Sequence, residues 1–133
     1  TFDNAGLDLR LKNSSVRAWN FYAMLFAELE IRDCVFGESL SFHQARIEVV
    51  DSVCDGKGGY LGARDGSTTV FKGGRVECEV LAHDDATIEL RDTRVEGDVK
   101  AARNGRVLLS GAEVLGDLVE LERGRIEREG EGK

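Results

Sequence analysis

The sequence repeats itself, and the repeat dictates the fold class. A small residue followed by apolar residues at the second and fourth positions beyond it recurs as AELEI at 27–31, ARIEV at 45–49, STTVF at 67–71, ATIEL at 86–90 and GRVLL at 105–109. A lengthened first copy starts at Ala5 and a frayed last one, GRIER, at Gly124. The starting positions 5, 27, 45, 67, 86, 105 and 124 are separated by steps of 22, 18, 22, 19, 19 and 19 residues. A period near 20 with period-2 apolar alternation inside each copy signals stacked strands wound into a solenoid.

Two further columns keep the same phase. Asn13, Asp33, Asp51, Gly73, Asp92, Gly111 and Gly130 follow each strand by two residues. All are types that enter left-handed or tight-turn backbone cheaply, so a corner belongs there. Three residues on come Val16, Phe36, Cys54, Val76, Val95 and Val114, then Leu40, Val80, Val99 and Leu118, then Phe42, Ala82 and Ala101. Each rung therefore reads as a strand, a sharp corner, a short strand, a turn and a third short strand. Identical positions stack about 4.8 Å apart. Phe71, Leu90 and Leu109 are expected in one inward ladder, with Val76, Val95 and Val114 in another. Residues 18–30 contain strong helix formers. Ala27, Leu29 and Ile31 nonetheless stay in phase, so a strand is expected there, with an N-terminal capping helix as the alternative.

The pattern resembles the right-handed parallel β-helix superfamily, the pectate-lyase-like solenoids. The resemblance covers residues 5–126 and rests on periodicity and corner chemistry. It implies an all-β, right-handed, three-sided parallel β-helix of about six rungs, a single domain over 1–133 with a charged tail at 127–133. Relatives of that kind include polysaccharide lyases, hydrolases, adhesins and domains without activity. Val95-Glu-Gly97-Asp98-Val99 and Val114-Leu-Gly116-Asp117-Leu118 are in turn similar to rungs of bactofilins, bacterial cytoskeletal polymers.

Composition excludes several function classes. With 25 Asp and Glu against 18 Lys and Arg, the net charge is −7, which opposes general binding to nucleic acid or anionic membranes. No apolar run reaches the length of a membrane span. A soluble protein is expected, secreted or at the cell surface rather than embedded in a membrane. Cys34, Cys54 and Cys78 are odd in number and lack paired-ligand spacing, which reads as buried free thiols and not as zinc ligands. No metal or cofactor is called for. Gly56-Lys-Gly58-Gly59 lacks the phosphate-loop form, and Ser39 and Ser110 have no histidine in phase for nucleophilic catalysis.

One polar column remains. Alignment on the corners puts His43, Arg64 and His83 on successive rungs, beside Asp65 and Asp84. Trp19, Tyr22 and Tyr60 are expected nearby as an aromatic rim for sugar rings. Histidine beside a carboxylate can do acid–base work, and arginine binds carboxylates. His43, His83 and Arg64 are thus the catalytic candidates, with Asp65, Asp84, Trp19, Tyr22 and Tyr60 as ligand contacts. No complete catalytic set emerges. The expected function is a non-enzymatic scaffold, binding or assembly module of a larger cell-surface or carbohydrate-directed protein. A polysaccharide-acting enzyme or sugar-binding fragment is the first alternative and a bactofilin-like polymer the second. Open strand edges at the end rungs would favour a homo-oligomer.

Overall fold

The computed structural model describes residues 2–5, 8–12, 15–24, 28–32, 35–41, 46–54 and 60–129, with side chains placed at 32, 46–54 and 61–128. The strands in chain order are β1 (Phe2–Ala5), β2 (Asp8–Lys12), β3 (Ser15–Met24), β4 (Glu28–Arg32), β5 (Val35–Ser41), β6 (Arg46–Val50), β7 (Val53–Cys54), β8 (Tyr60–Ala63) and β9 (Thr68–Lys72). They continue as β10 (Arg75–Val76), β11 (Glu79–His83), β12 (Thr87–Arg91), β13 (Arg94–Val95), β14 (Val99–Ala102), β15 (Arg106–Ser110), β16 (Glu113–Val114), β17 (Leu118–Glu120) and β18 (Arg125–Glu129). Every pairing is parallel and crosses from one turn of the coil to a neighbouring one, as a β-solenoid requires.

The long strands β2, β4, β6, β9, β12, β15 and β18 stack as one seven-stranded sheet. The shorter strands form two ladders, β7-β10-β13-β16 and β8-β11-β14-β17, which join at β5 to make an 11-stranded sheet. The solenoid makes about four turns rather than the six expected. The regular rung of long strand, corner, short strand, turn and third strand runs from β6 onward. In the N-terminal copies the two short strands merge into the unbroken ten-residue β3 and seven-residue β5, and the β3–β5 register shifts between Val16 and Asn20. Residues 15–24 and 28–32 are strands, so the helical alternative for 18–30 finds no place among the described residues.

The core follows from alternation. β6 and β15 share one burial pattern, exposed at Arg46 and Arg106, buried at Ile47, Val49, Val107 and Leu109. Val49, Phe71, Leu90 and Leu109 lie in register and are wholly buried, and Cys54, Val76 and Val95 make the second buried ladder, with Val114 packed against it. In register along the long strands lie Glu30, Glu48, Val70, Glu89, Leu108 and Glu127, so from Glu48 onward an apolar residue separates successive glutamates. Lys72 pairs with Glu48 at 3.6 Å and Arg91 with Glu89.

Both kinds of corner use left-handed backbone. Asp51, Gly73, Asp92 and Gly111 have φ of 50°, 70°, 48° and 68°, as their residue types predict. The carboxylate of each aspartate fills the space above the next turn's glycine. An ideal Cβ on Gly111 would stand 2.5 Å from Asp92 Oδ1, and one on Gly73 2.6 Å from Asp51 Oδ1. Just beyond the corner, the buried Thr93 hydroxyl lies 2.7 Å from the Arg91 carbonyl and can donate to it.

One column was off by a residue. Leu61 pairs with Ser39, not Leu40, because the straight β5 has one residue fewer between Phe36 and Ser39 than the later rungs have between Val76 and Val80. Two measurements check this architecture. Leu90→Ala should cost about 2–5 kcal/mol in chemical denaturation, as buried leucine truncations do. Gly111→Ala should destabilise through both its positive φ and the Asp92 contact, and Asp92→Gly in the same chain should recover the contact part only.

Candidate functional site

The third strand of each rung returns to the long strand through a two-residue reverse turn. Its central residues both have positive φ: Asp65 and Gly66 at 57° and 75°, Asp84 and Asp85 at 53° and 65°, Arg103 and Asn104 at 48° and 65°, Glu122 and Arg123 at 46° and 70°. Amides close each turn three residues back, from Ser67 to the Arg64 carbonyl and from Ala86 to that of His83 at 3.3 Å, and from Gly105 to that of Ala102 at 2.8 Å. Two positive φ values with this bond describe a type I′ turn. Four such turns stack, and their side chains form the polar column.

Asp84 is the hub of that column. His83, the last residue of β11, places Nδ1 2.7 Å from Asp84 Oδ2. Arg64 Nη2 lies 3.9 Å from the same oxygen, and Arg103 Nη1 lies 3.8 Å from Asp84 Oδ1. Arg103 Nε then reaches Glu122 at 3.6 Å. The His83 side chain is 19% exposed and that of Asp84 29%. A histidine this close to a carboxylate is the pairing that acid–base chemistry draws on.

Of the residues expected at this site, the structure therefore brings together Arg64, His83 and Asp84. Asp65 is exposed one turn away, and no ion pair among the described residues joins it to the cluster. His43 lies outside the described residues. Tyr60 is misplaced by the expectation: it pairs with Glu79, at the opposite end of β11 from His83, about 13 Å away at strand rise. Tyr22 pairs with Leu40 on β3, three strands from β11, and Trp19 falls within the β3–β5 register shift. The backbone positions of these three aromatics therefore lie away from the His83 end of β11. Arg103 belongs to the cluster and was missed as a site residue; its phase with Asp84, 19 residues on, was the available signal. Among the described residues no group of three or more His, Cys, Asp or Glu could hold a metal ion.

The other unusual surface is the last described turn. Leu115, Leu118 and Leu121 are 53%, 42% and 49% exposed. Leu118 continues the ladder of Leu61, Val80 and Val99, all of them fully buried. The strands β16, β17 and β18 each pair on one side only among the described residues. Alternate residues of a parallel strand turn their amides to opposite neighbours. Arg125 bonds back to Gly105, so the Ile126 amide faces the open edge, where it donates to Glu120 Oε2 at 2.8 Å. An open depression of about 670 Å³ beside it is lined by Asn104, Glu120, Arg123 and Ile126 among others.

No family model, curated protein or solved structure matches the chain.

The outer face of this end layer has one titration consequence. Arg106 donates from Nε to Glu127 Oε2 at 3.1 Å, and that bond, reinforced by the charges of Arg106 and Arg125, holds the Glu127 carboxyl below its ordinary range. A lowered folded-state pKa stabilises the fold fully above the unfolded-state value and ceases to as pH falls through the folded one. Arg106→Gln should raise the Glu127 pKa in an NMR titration and remove that part of the acid sensitivity. An unchanged Glu127 titration would show that the bond does not form in solution.

Proposed function

We propose that this chain is a non-enzymatic β-solenoid module that assembles with further copies of itself through its end layers. The observation that carries the reading is the change along one ladder, from the fully buried Val99 to Leu118 at 42% exposure, flanked by two more exposed leucines. An apolar strand layer with an unpaired edge is a template for another strand. A second copy supplies a suitable one. Continuing the long-strand register beyond β18 sets β2 of a following copy above it. Asp8 then falls opposite Arg125, Leu9 opposite Ile126, Arg10 opposite Glu127 and Lys12 opposite Glu129. Opposite charges directly across a strand pair are favourable. The Glu120 carboxylate on the Ile126 amide is a partial cap that the incoming strand displaces.

The finer assignment is a right-handed coil of the pectate-lyase-like kind, supported by the strong right-handed preference of parallel crossover connections. The bactofilin-like alternative is supported by the stacked Gly97-Asp98 and Gly116-Asp117 corners, where the Asp117 amide donates to Asp98 Oδ1 at 2.9 Å. A second functional reading, action on or binding of polysaccharide, is favoured by the 2.7 Å His83–Asp84 contact alone.

Sedimentation velocity across a concentration and salt series tests assembly. The native chain should form oligomers that grow with concentration and with screening of the −7 charge. Glu120→Ala should enhance association and Leu118→Glu abolish it. Glu127→Arg should weaken it, and adding Arg10→Glu should restore it. A strict monomer at high protein and salt concentration would overturn the proposal. Incubation with uronic-acid and neutral polysaccharides should leave them unchanged; turnover that His83→Ala abolishes would establish the second reading instead.

A further inference from the structure

The two described cysteines sit together on neighbouring turns. Cys54 ends β7 and Cys78 lies between β10 and β11, both in the hydrophobic core, 0% and 4% exposed. Their Sγ atoms are 3.2 Å apart, and neither is in a disulfide. Backbone bonding fixes the approach: Val76 pairs with Cys54, and the Glu77 amide donates to the Cys54 carbonyl at 2.8 Å, which brings the next residue over the Cys54 side chain.

Position 78 carries a side chain where the following turns cannot. The same place in the next two turns is held by Gly97 and Gly116. An ideal Cβ on Gly97 would lie 2.5 Å from the Cys78 carbonyl oxygen, and one on Gly116 2.3 Å from that of Gly97. A thiol is therefore admitted at one level of an otherwise glycine column, and that level faces the other buried thiol.

We infer that Cys54 and Cys78 form a dithiol site that oxidises to an intrachain disulfide closing one complete turn of the solenoid. The reaction is exchange with a small-molecule disulfide such as oxidised glutathione. The Cys78 thiolate, at the less buried sulfur, attacks one oxidant sulfur and releases a thiolate. The Cys54 thiolate then displaces the second half of the oxidant from the mixed disulfide. Two protein thiols lose two protons and two electrons, and the oxidant disulfide becomes two thiols. From the 3.2 Å separation the sulfurs need to approach by about 1.1 Å to reach bonding distance.

The ring so closed holds the 25 residues 54–78, which include the longer connection after β7 where the two ladders diverge from β5. A cross-link over a loop of this length restricts the unfolded chain and raises stability. The site differs in kind from the end-layer surface, so its outcome is independent of whether copies assemble.

The test is to incubate the native chain with oxidised glutathione at mildly alkaline pH and map the tryptic peptides without reduction. Cleavage after Arg32, Arg46, Lys57, Arg75 and Arg91 puts Cys34, Cys54 and Cys78 in separate peptides. The expected result is a Cys54–Cys78 linked peptide, a Tm higher by several degrees, and reversal of both by dithiothreitol. Persistence of both thiols, arrest as glutathione adducts, pairing with Cys34 instead, or a Cys54–Cys78 link that forms only in urea would each overturn the inference.

Discussion

Everything in this fold depends on the hydrogen bonds that pass from one turn to the next. A strand in a parallel solenoid has no partner within its own turn, so each amide must find a carbonyl one layer away at the fixed strand spacing. Turns of equal length follow from β9 onward, where the long strands start at 68, 87, 106 and 125, after earlier starts at 8, 28 and 46. The 22-residue step from 46 to 68 puts more chain between β7 and β8 than the later turns have between β10 and β11. The same spacing restricts the residue before each long strand to small side chains, Ser67, Ala86, Gly105 and Gly124. An ideal Cβ on Gly105 would stand 2.2 Å from the Ala82 carbonyl oxygen, and one on Gly124 2.0 Å from that of Ala101. Ser67 and Ala86 occupy the same column with a small side chain, so glycine at 105 and 124 marks the layers where the backbones pass closest.

This explains which parts of the structure the sequence discloses. Ladders such as Phe71–Leu90–Leu109 repeat at a constant step and are read directly, as are corners marked by Asp51 and Asp92 with their positive φ. Register across an irregular join is not read that way. Whether the chain bends between Phe36 and Ser39 decides whether Ser39 or Leu40 opposes Leu61, and no residue type there marks the absent corner. The same blind spot put Tyr60 beside His83, since the length of the insertion says nothing about which end of β8 it enters. Arg103 and Glu122 hide their left-handed backbone for a different reason. Their side chains do not favour it, and only phase with Asp65 and Asp84 betrays it.

The polar column shows how a repeat can imitate an active site. The equivalent turn positions on successive layers hold Asp65, Asp84, Arg103 and Glu122, and Arg64 and Arg103 set positive charge on either side of Asp84. Exposed pairs at 3.6–3.9 Å contribute little individually. His83 departs from this pattern. It lies 2.7 Å from the Asp84 carboxylate with its side chain 19% exposed, and it alone gives the column any chemistry beyond charge balance.

The end layer follows the same logic to a different result. In a solenoid each turn is stabilised by its two neighbours, so a turn with one neighbour lacks half of that stabilisation. The Glu120 carboxylate satisfies the Ile126 amide but leaves Leu115, Leu118 and Leu121 in water. An added copy continues the parallel ladders in only one polarity, its β2 on β18, since reversal would make the pairing antiparallel and lose the Asp8–Arg125 and Arg10–Glu127 matches. Such a contact joins two different surfaces, so each added copy presents the same free end again. Under the proposed assembly, a heterologous contact along the coil axis would have no rotation that closes a ring, and it would specify a filament.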